Sequence, residues 1–308
     1  MKRMIAVLTS ATAVALTASL PVAAHASAQA PDPLTALKKQ LTAGHGVQFV
    51  DTVKTRKAGR TEVISKREGE LQFDAAGISA SDHTSRPRVK ESDLEFDLSS
   101  PESGFGDAED DRSPEAVQAE EQLDKLLKGL ADPERVVRVK KAAYLSGGVF
   151  GPFLPVGKPW LHIPEDTLGV TGSIGQHINP AEPATLKALL ANATVKRPTS
   201  YAGKITFGEL HKVSPWFRAA MGRKLYGDMA KDTLNWKLFL GTDRLPARLT
   251  TTETDSSGKT VGLTVDTRYT GWGSEVSITA PADDQIATMK ELEDRFLSDN
   301  PIPLVTVK

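Results

Sequence analysis

Chemistry in an unknown chain is sought first among its histidines, serines and clustered carboxylates. Six histidines occur, at positions 25, 45, 83, 162, 177 and 211. No two stand three or four residues apart, the spacing that sets two imidazoles on one helical face for a metal. Cysteine is absent, which removes the thiolate ligands of structural zinc and every disulfide. Each histidine is therefore expected at the surface or in a loop. Gly172-Ser173-Ile174-Gly175 lacks the glycine two places before its serine that a nucleophile elbow requires. Ser256-Ser257-Gly258-Lys259 and Gly258-Lys259-Thr260 copy fragments of a Ser-x-x-Lys motif and of a phosphate loop. Glu253 stands where the loop's first glycine belongs, and a polar hairpin turn accounts for both matches.

Residues 91 to 121 hold twelve acids (Glu91, Asp93, Glu95, Asp97, Glu102, Asp107, Glu109, Asp110, Asp111, Glu115, Glu120 and Glu121) against one base, Arg112. Asp107, Glu109 and Asp111 alternate as the first ligands of a calcium loop do. Arg112, however, occupies the place of the obligatory glycine, and Gln118 that of the terminal bidentate glutamate. The stretch reads as an exposed, solvated insert, partly disordered. No catalytic residue, no metal and no cofactor is expected, and the chain does not read as an enzyme.

The ends and the charge narrow the setting. Lys2 and Arg3, the uncharged run from Ile5 to Leu20, and Ala24-His25-Ala26 have the three-part form of a secretory signal peptide over residues 1–26. One domain is expected over 27–308. Removing Lys2 and Arg3 leaves 36 basic against 39 acidic residues, a charge of −3. That near balance speaks against nucleic acid as a partner. No later segment has the length of a membrane span, and without a cysteine to acylate no lipid anchor follows. The expected location is outside the cytoplasmic membrane, secreted or at the cell envelope, in soluble form.

Positioning elements follow from periodicity. Asp32-Pro33 caps a short helix with Leu34, Leu37 and Leu41 on one face. Val47, Phe49 and Val53 alternate as a half-buried strand, with further strands at Arg60–Lys66 and Gly69–Phe73 separated by a charged turn. Ser113-Pro114 opens a helix, residues 142–164 read as a hairpin, and Asn179-Pro180 starts another helix. A strand pair is expected over Val195–Leu210, with Ile205 and Phe207 alternating. Ser214-Pro215 caps a helix carrying Trp216, Phe217, Met221, Leu225 and Met229. Leu234 to Ala280 reads as an antiparallel meander of about four strands, and a helix ends the chain before Pro301. The stripe of Phe217, Met221 and Leu225 packs on a sheet; periodicity does not distinguish a filled core from a ligand cavity.

The order of these parts resembles the LolA/LppX-like superfamily of bacterial envelope proteins, of the LppX/LprG type. The resemblance lies in Gly69-Glu70-Leu71-Gln72-Phe73, Lys158-Pro159-Trp160, Ser200-Tyr201-Ala202-Gly203 and Asp243 to Leu249, then in Tyr269, Gly271-Trp272-Gly273 and Val276 to Pro281. It implies an α+β fold, a strongly curved antiparallel half-barrel with helices covering its concave face. It implies a carrier or sensor that holds a lipid or other apolar small molecule. The implied lining is Leu71, Phe73, Trp160, Ile205, Phe207, Phe217, Met221, Leu225, Trp236 and Leu238. A second reading keeps the core filled and makes the chain a regulatory module that meets an envelope protein through its acidic insert.

Overall fold

The computed structural model describes residues 32–57, 59–88, 114–164, 175–222, 224–255 and 257–298. The expected signal peptide and the acidic stretch up to residue 113 lie outside them. Twelve strands among the described residues form one sheet, in the spatial order β12-β6-β5-β4-β3-β2-β1-β11-β10-β9-β8-β7. In chain order they are β1 (His45–Lys57), β2 (Arg60–Asp74), β3 (Gly77–Pro87), β4 (Glu134–Val139), β5 (Ala142–Gly147) and β6 (Trp160–Pro164), then β7 (Ala193–Arg197), β8 (Ser200–Thr206), β9 (Thr233–Leu240), β10 (Pro246–Thr254), β11 (Thr260–Glu275) and β12 (Ile286–Ala287). Every neighbouring pair is antiparallel except β12 on β6.

Antiparallel partners share a face, and successive residues alternate between faces. Register therefore sorts the side chains. One row across the sheet runs Leu238, Leu249, Thr267, Asp51, Arg67, Ser85, Glu134. The next on the same face runs Tyr269, Phe49, Gly69, His83, Val136, Leu145, Leu161. The opposite face carries exposed Val50 and ion pairs such as Arg248–Asp266 and Arg135–Asp82, both bidentate.

Helices contribute to the buried face. They are α1 (Pro33–Gln40), α2 (Pro114–Ala131), α3 (Pro183–Ala191), α4 (Phe207–Val213), α5 (Pro215–Met221) and α6 (Met289–Ser298). Asp32 caps α1 by accepting the N–H groups of Leu34 and Thr35 at 3.0 and 3.1 Å, which points Ala36 and Leu37 inward. A large apolar cluster joins those two residues to Leu186 and Leu189 of α3, Phe207 and Leu210 of α4, and Trp216 and Phe217 of α5, all packed with residues of β1, β2 and β8–β11. A smaller cluster gathers Val136, Ala143, Leu145, Phe153, Leu161 and Leu292, with Leu126 of α2 against it.

Several boundaries differ from the sequence expectation. Residues 60–74 form one strand, not two, because Arg67 turns inward while Lys66 and Glu68 face out, so the charges never break the ladder. β3, rich in Ser, Thr and His, carries too few large apolar groups to signal a strand. Residues 114–121 of the acidic insert are helical, as the start of α2. The helix expected at Asn179-Pro180 begins at Pro183; Asn179 instead accepts the Ala181 N–H at 3.0 Å in a local turn. Residues 276–280 are not a strand: Val276 donates to the Gly44 carbonyl and Ile278 to the Gln72 side chain.

Candidate functional site

Seven of the ten residues expected to line an apolar space lie in the large cluster. Leu71, Phe73, Ile205, Phe207, Phe217, Trp236 and Leu238 are all buried there, and Met221 and Leu225 pack against it partly exposed. Phe207 and Phe217 meet edge to face at 5.1 Å, bringing α4 and α5 together. Phe207 arrives as the first residue of a helix rather than as part of a strand. Thr206 accepts the Glu209 N–H at 3.1 Å while Glu209 accepts the Thr206 N–H at 2.9 Å, a capping box that Thr206-x-x-Glu209 announces in the sequence. The helix expected to carry Met221, Leu225 and Met229 stops at Met221, because Gly222 turns the chain with φ 89°.

Trp160 stands apart. Leu161 shares the buried face with Leu145, so its neighbour Trp160 faces the other way. There the Arg135 guanidinium lies 5.4 Å from its ring. The expectation that Trp160 lines the same space is corrected by this alternation.

The same buried face holds a polar cluster that motif reading does not find. Arg67 donates from Nε to Asp51 Oδ2 at 2.7 Å, and its Nη2 sits 2.5 Å from the same oxygen. Both residues are buried, on the row that also carries Thr267. Gln176 closes over them: its N–H reaches Asp51 Oδ2 at 3.3 Å, its amide N donates to Thr267, and its amide O accepts from Thr251. Trp216 Nε1 donates to the Gln176 carbonyl at 3.0 Å. Gly175 lets this loop approach, since a Cβ there would lie 2.4 Å from Arg67 Cζ. The signal was parity. Asp51 falls in step with Val47, Phe49 and Val53, and Arg67 in step with Leu71 and Phe73, charges on an apolar face.

Around this pair stand His83, Trp216 and Arg138. The expectation of surface histidines fails for His83, which is 2% exposed and lies 6.1 Å from the Trp216 ring. Burial, then the charges of Arg67 and Arg138, push its pKa well below the usual imidazole value, so it is neutral. Glu182, the N-cap of α3, accepts the Ser214 hydroxyl at 2.5 Å, the Thr185 hydroxyl at 2.7 Å and the Trp216 N–H at 2.8 Å. Burial raises its pKa, opposed by those hydrogen bonds. This carboxylate fastens the start of α5 to the start of α3. The Ser214 hydroxyl also accepts the Phe217 N–H at 3.0 Å, so it is engaged as a cap on both sides.

A cavity of about 10 Å³ lies between Phe49, Asp51, Arg67, Leu71, Gln176, Ile178, Asn179, Trp216 and Tyr269. It has room for about one water, against roughly 300 Å³ or more for an organic ligand. At this point the side chains leave no room for an organic ligand. Among the described residues, no group of three His, Cys, Asp or Glu is placed to hold a metal ion, and no helix is long and apolar enough to cross a membrane.

No family model matches the chain, and no curated protein does. Solved structures similar to it include a hypothetical protein from Chlamydia trachomatis, at 10% identity and TM-score 0.30 over 80% of this chain and 97% of that one. A LolA superfamily protein from Nitrosomonas europaea matches at 6% identity and TM-score 0.27, over 82% and 94%. A DUF1329 family protein from Desulfovibrio piger matches at 8% identity and TM-score 0.21, over 81% and 96%. At these identities and scores no function transfers from them.

Proposed function

We propose that this chain is a non-catalytic binding protein, working outside the cytoplasmic membrane, that holds an apolar or amphipathic ligand between its helices and one face of its sheet. In this reading the sheet is a curved half-barrel and α3, α4 and α5 cover its concave side. The observation that carries the proposal is the α4–α5 pair. Two seven-residue helices, joined at Ser214 and ended by Gly222, hold Phe207, Leu210, Trp216 and Phe217 against an apolar sheet face. Helices this short have little stability of their own, so their place depends on those contacts and on Glu182. Beneath Trp216 the space is about 10 Å³. An acyl chain entering as α4 and α5 lift would bury about 0.8 kcal/mol per methylene against the same surface. The lining would then be Leu71, Phe73, Ile205, Phe207, Phe217, Met221, Leu225, Trp236 and Leu238, without Trp160.

The small size of that space also favours a second reading, a regulatory module that meets an envelope protein through the acidic segment. Native mass spectrometry of the chain purified from its own host, with solvent extraction, separates the two. A stoichiometric lipid supports the carrier. A clean apo mass, together with no uptake of a fluorescent fatty acid, rejects it in favour of the module.

A further inference from the structure

Helix α5 is held unequally at its two ends. At its start the Ser214 hydroxyl and the Trp216 N–H both donate to Glu182, and Trp216 Nε1 donates to the Gln176 carbonyl. Those acceptors lie at the start of α3 and in the 175–179 loop, and each is fixed in turn. Glu182 also accepts the Thr185 hydroxyl, and Gln176 bonds to Asp51, Thr251 and Thr267. At the far end the polar contacts run back to the neighbouring α4. Arg218 Nη1 donates to the His211 and Lys212 carbonyls at 2.7 and 3.4 Å, and His211 Nε2 lies 3.1 Å from the Gly222 carbonyl. A carbonyl only accepts, so that nitrogen carries the hydrogen. Packing follows the same gradient. Trp216 and Phe217 at the start are large and buried, whereas Ala219 and Ala220 bury little area each. Met221 and Gly222 are half-buried, and Lys224, Tyr226 and Gly227 beyond them are exposed. Met221 and Leu225 pack on the large cluster while partly exposed, so the cluster reaches the surface here.

We infer that α5 is a lid hinged at its start: it opens at the Met221 end, turning about the Ser214–Trp216 anchor, and the apolar chain enters beneath Met221 and Leu225. The inference rests on the proposed function and names the gate to that site. His211 and Arg218 fasten the lid, while Glu182 and Gln176 hold its hinge. The fastening contacts to Gly222 and His211 are part-buried and the three anchoring ones are buried, where a hydrogen bond is electrostatically stronger. The fastened end therefore yields first. Such a local opening moves α5 and leaves the ladder of strands beneath it intact.

The test is stopped-flow uptake of a fluorescent fatty acid by the purified chain stripped of lipid, with urea denaturation to show that each variant is folded. His211→Phe keeps the ring edge beside Phe217 and removes the N–H; Arg218→Gln shortens and neutralises the other fastening. Each is expected to speed uptake and release alike by about fivefold, the value of one hydrogen bond, so that equilibrium affinity holds. Trp216→Phe, which removes a bond at the anchor, should leave the rate unchanged. Faster uptake in Trp216→Phe alone would put the opening at the start of α5 and overturn the inference. Equal acceleration in all three would mean that α5 detaches whole, which overturns the hinge. Unchanged rates in all three, with binding intact, would overturn the gate and leave the proposed function standing. No uptake by the wild-type chain or any variant overturns the proposed function, and the gate with it.

Discussion

The buried face of the sheet has two unlike halves. Under α1, α3, α4 and α5 a large apolar cluster surrounds the Asp51–Arg67 pair, the Gln176 bridge and Glu182. Under α2 and α6 lies a smaller apolar cluster, and Glu134 on the neighbouring strand is pushed up by burial to about 7. Asp51, Gln176 and Glu182 in the large half bond to separate elements: strands β2, β10 and β11, the 175–179 loop and the helix starts. Such a network is costly to leave half-satisfied and so selects one arrangement of α3 and α5 over the sheet. The small half holds α6 by the packing of Leu292, with a Thr288–Glu291 cap and a Lys158–Glu291 ion pair nearer the surface. The proposed binding function belongs to the large half, which carries the longer apolar face and the short α4 and α5 helices over it.

The sharpest way to break the comparison is to strand one member of the ion pair. Arg67→Ala leaves Asp51 buried and unpaired, and is expected to lower stability by about 3–5 kcal/mol. Replacing both with apolar residues of similar volume should recover most of that loss. Urea denaturation of the single and double variants measures it. If Arg67→Ala costs under about 1 kcal/mol, the network does not select the geometry.

Cavity-forming substitutions come next. Phe217→Ala removes a fully buried ring in contact with Phe207 and His177, with an expected cost of about 3–5 kcal/mol. Leu161→Ala in the small half should cost about 2–5 kcal/mol. Only the first should alter uptake of a fluorescent fatty acid. Equal effects of the two on uptake would erase the functional contrast between the halves.

What could be seen in the sequence was periodic and local. The β9, β10 and β11 strands, the Asp32-Pro33 cap and the Ser214-Pro215 cap are written in alternation and in capping chemistry, and each forms where those signals lie. Seven of the ten apolar residues named from the resemblance lie buried in the large cluster. Phe207 was misread because its alternation with Ile205 masked the capping box that makes it helical. Trp160 was misread because a resemblance carries residue type but not strand parity. The Asp51–Arg67 pair and buried His83 were not legible as a site. Their partners lie on β1, β2, β3 and a loop more than a hundred residues away, and only the sheet register brings them together.

Glu134 supplies a smaller, pH-dependent contrast. Its folded pKa, about 7, lies above the ordinary 4.5. Below 4.5 both folded and unfolded chains hold the proton, and the fold bears no penalty. As pH rises from 4.5 to about 7 the unfolded chain releases its proton while the folded chain keeps it, so stability falls across that window. The full deficit, at most about 3 kcal/mol, is reached above it. Glu134→Gln should therefore raise stability at pH 8 by about 1–3 kcal/mol and flatten the fall through that window. Melting followed across the pH range tests this, and an unchanged slope in the variant would assign the fall to another group.

Trp160→Ala carries the smallest expected effect and discriminates best between the two faces. Its ring faces away from the large cluster and meets Arg135, an arginine already paired with Asp82. Loss of a partly exposed cation–π contact should cost about 0.5–1 kcal/mol, and fatty-acid affinity should stay at the wild-type value. Phe217→Ala, by contrast, should lose both stability and affinity. If Trp160→Ala weakens binding as much as Phe217→Ala does, the ligand lies on the opposite face of the sheet. The helices would then be structural cover rather than a lid.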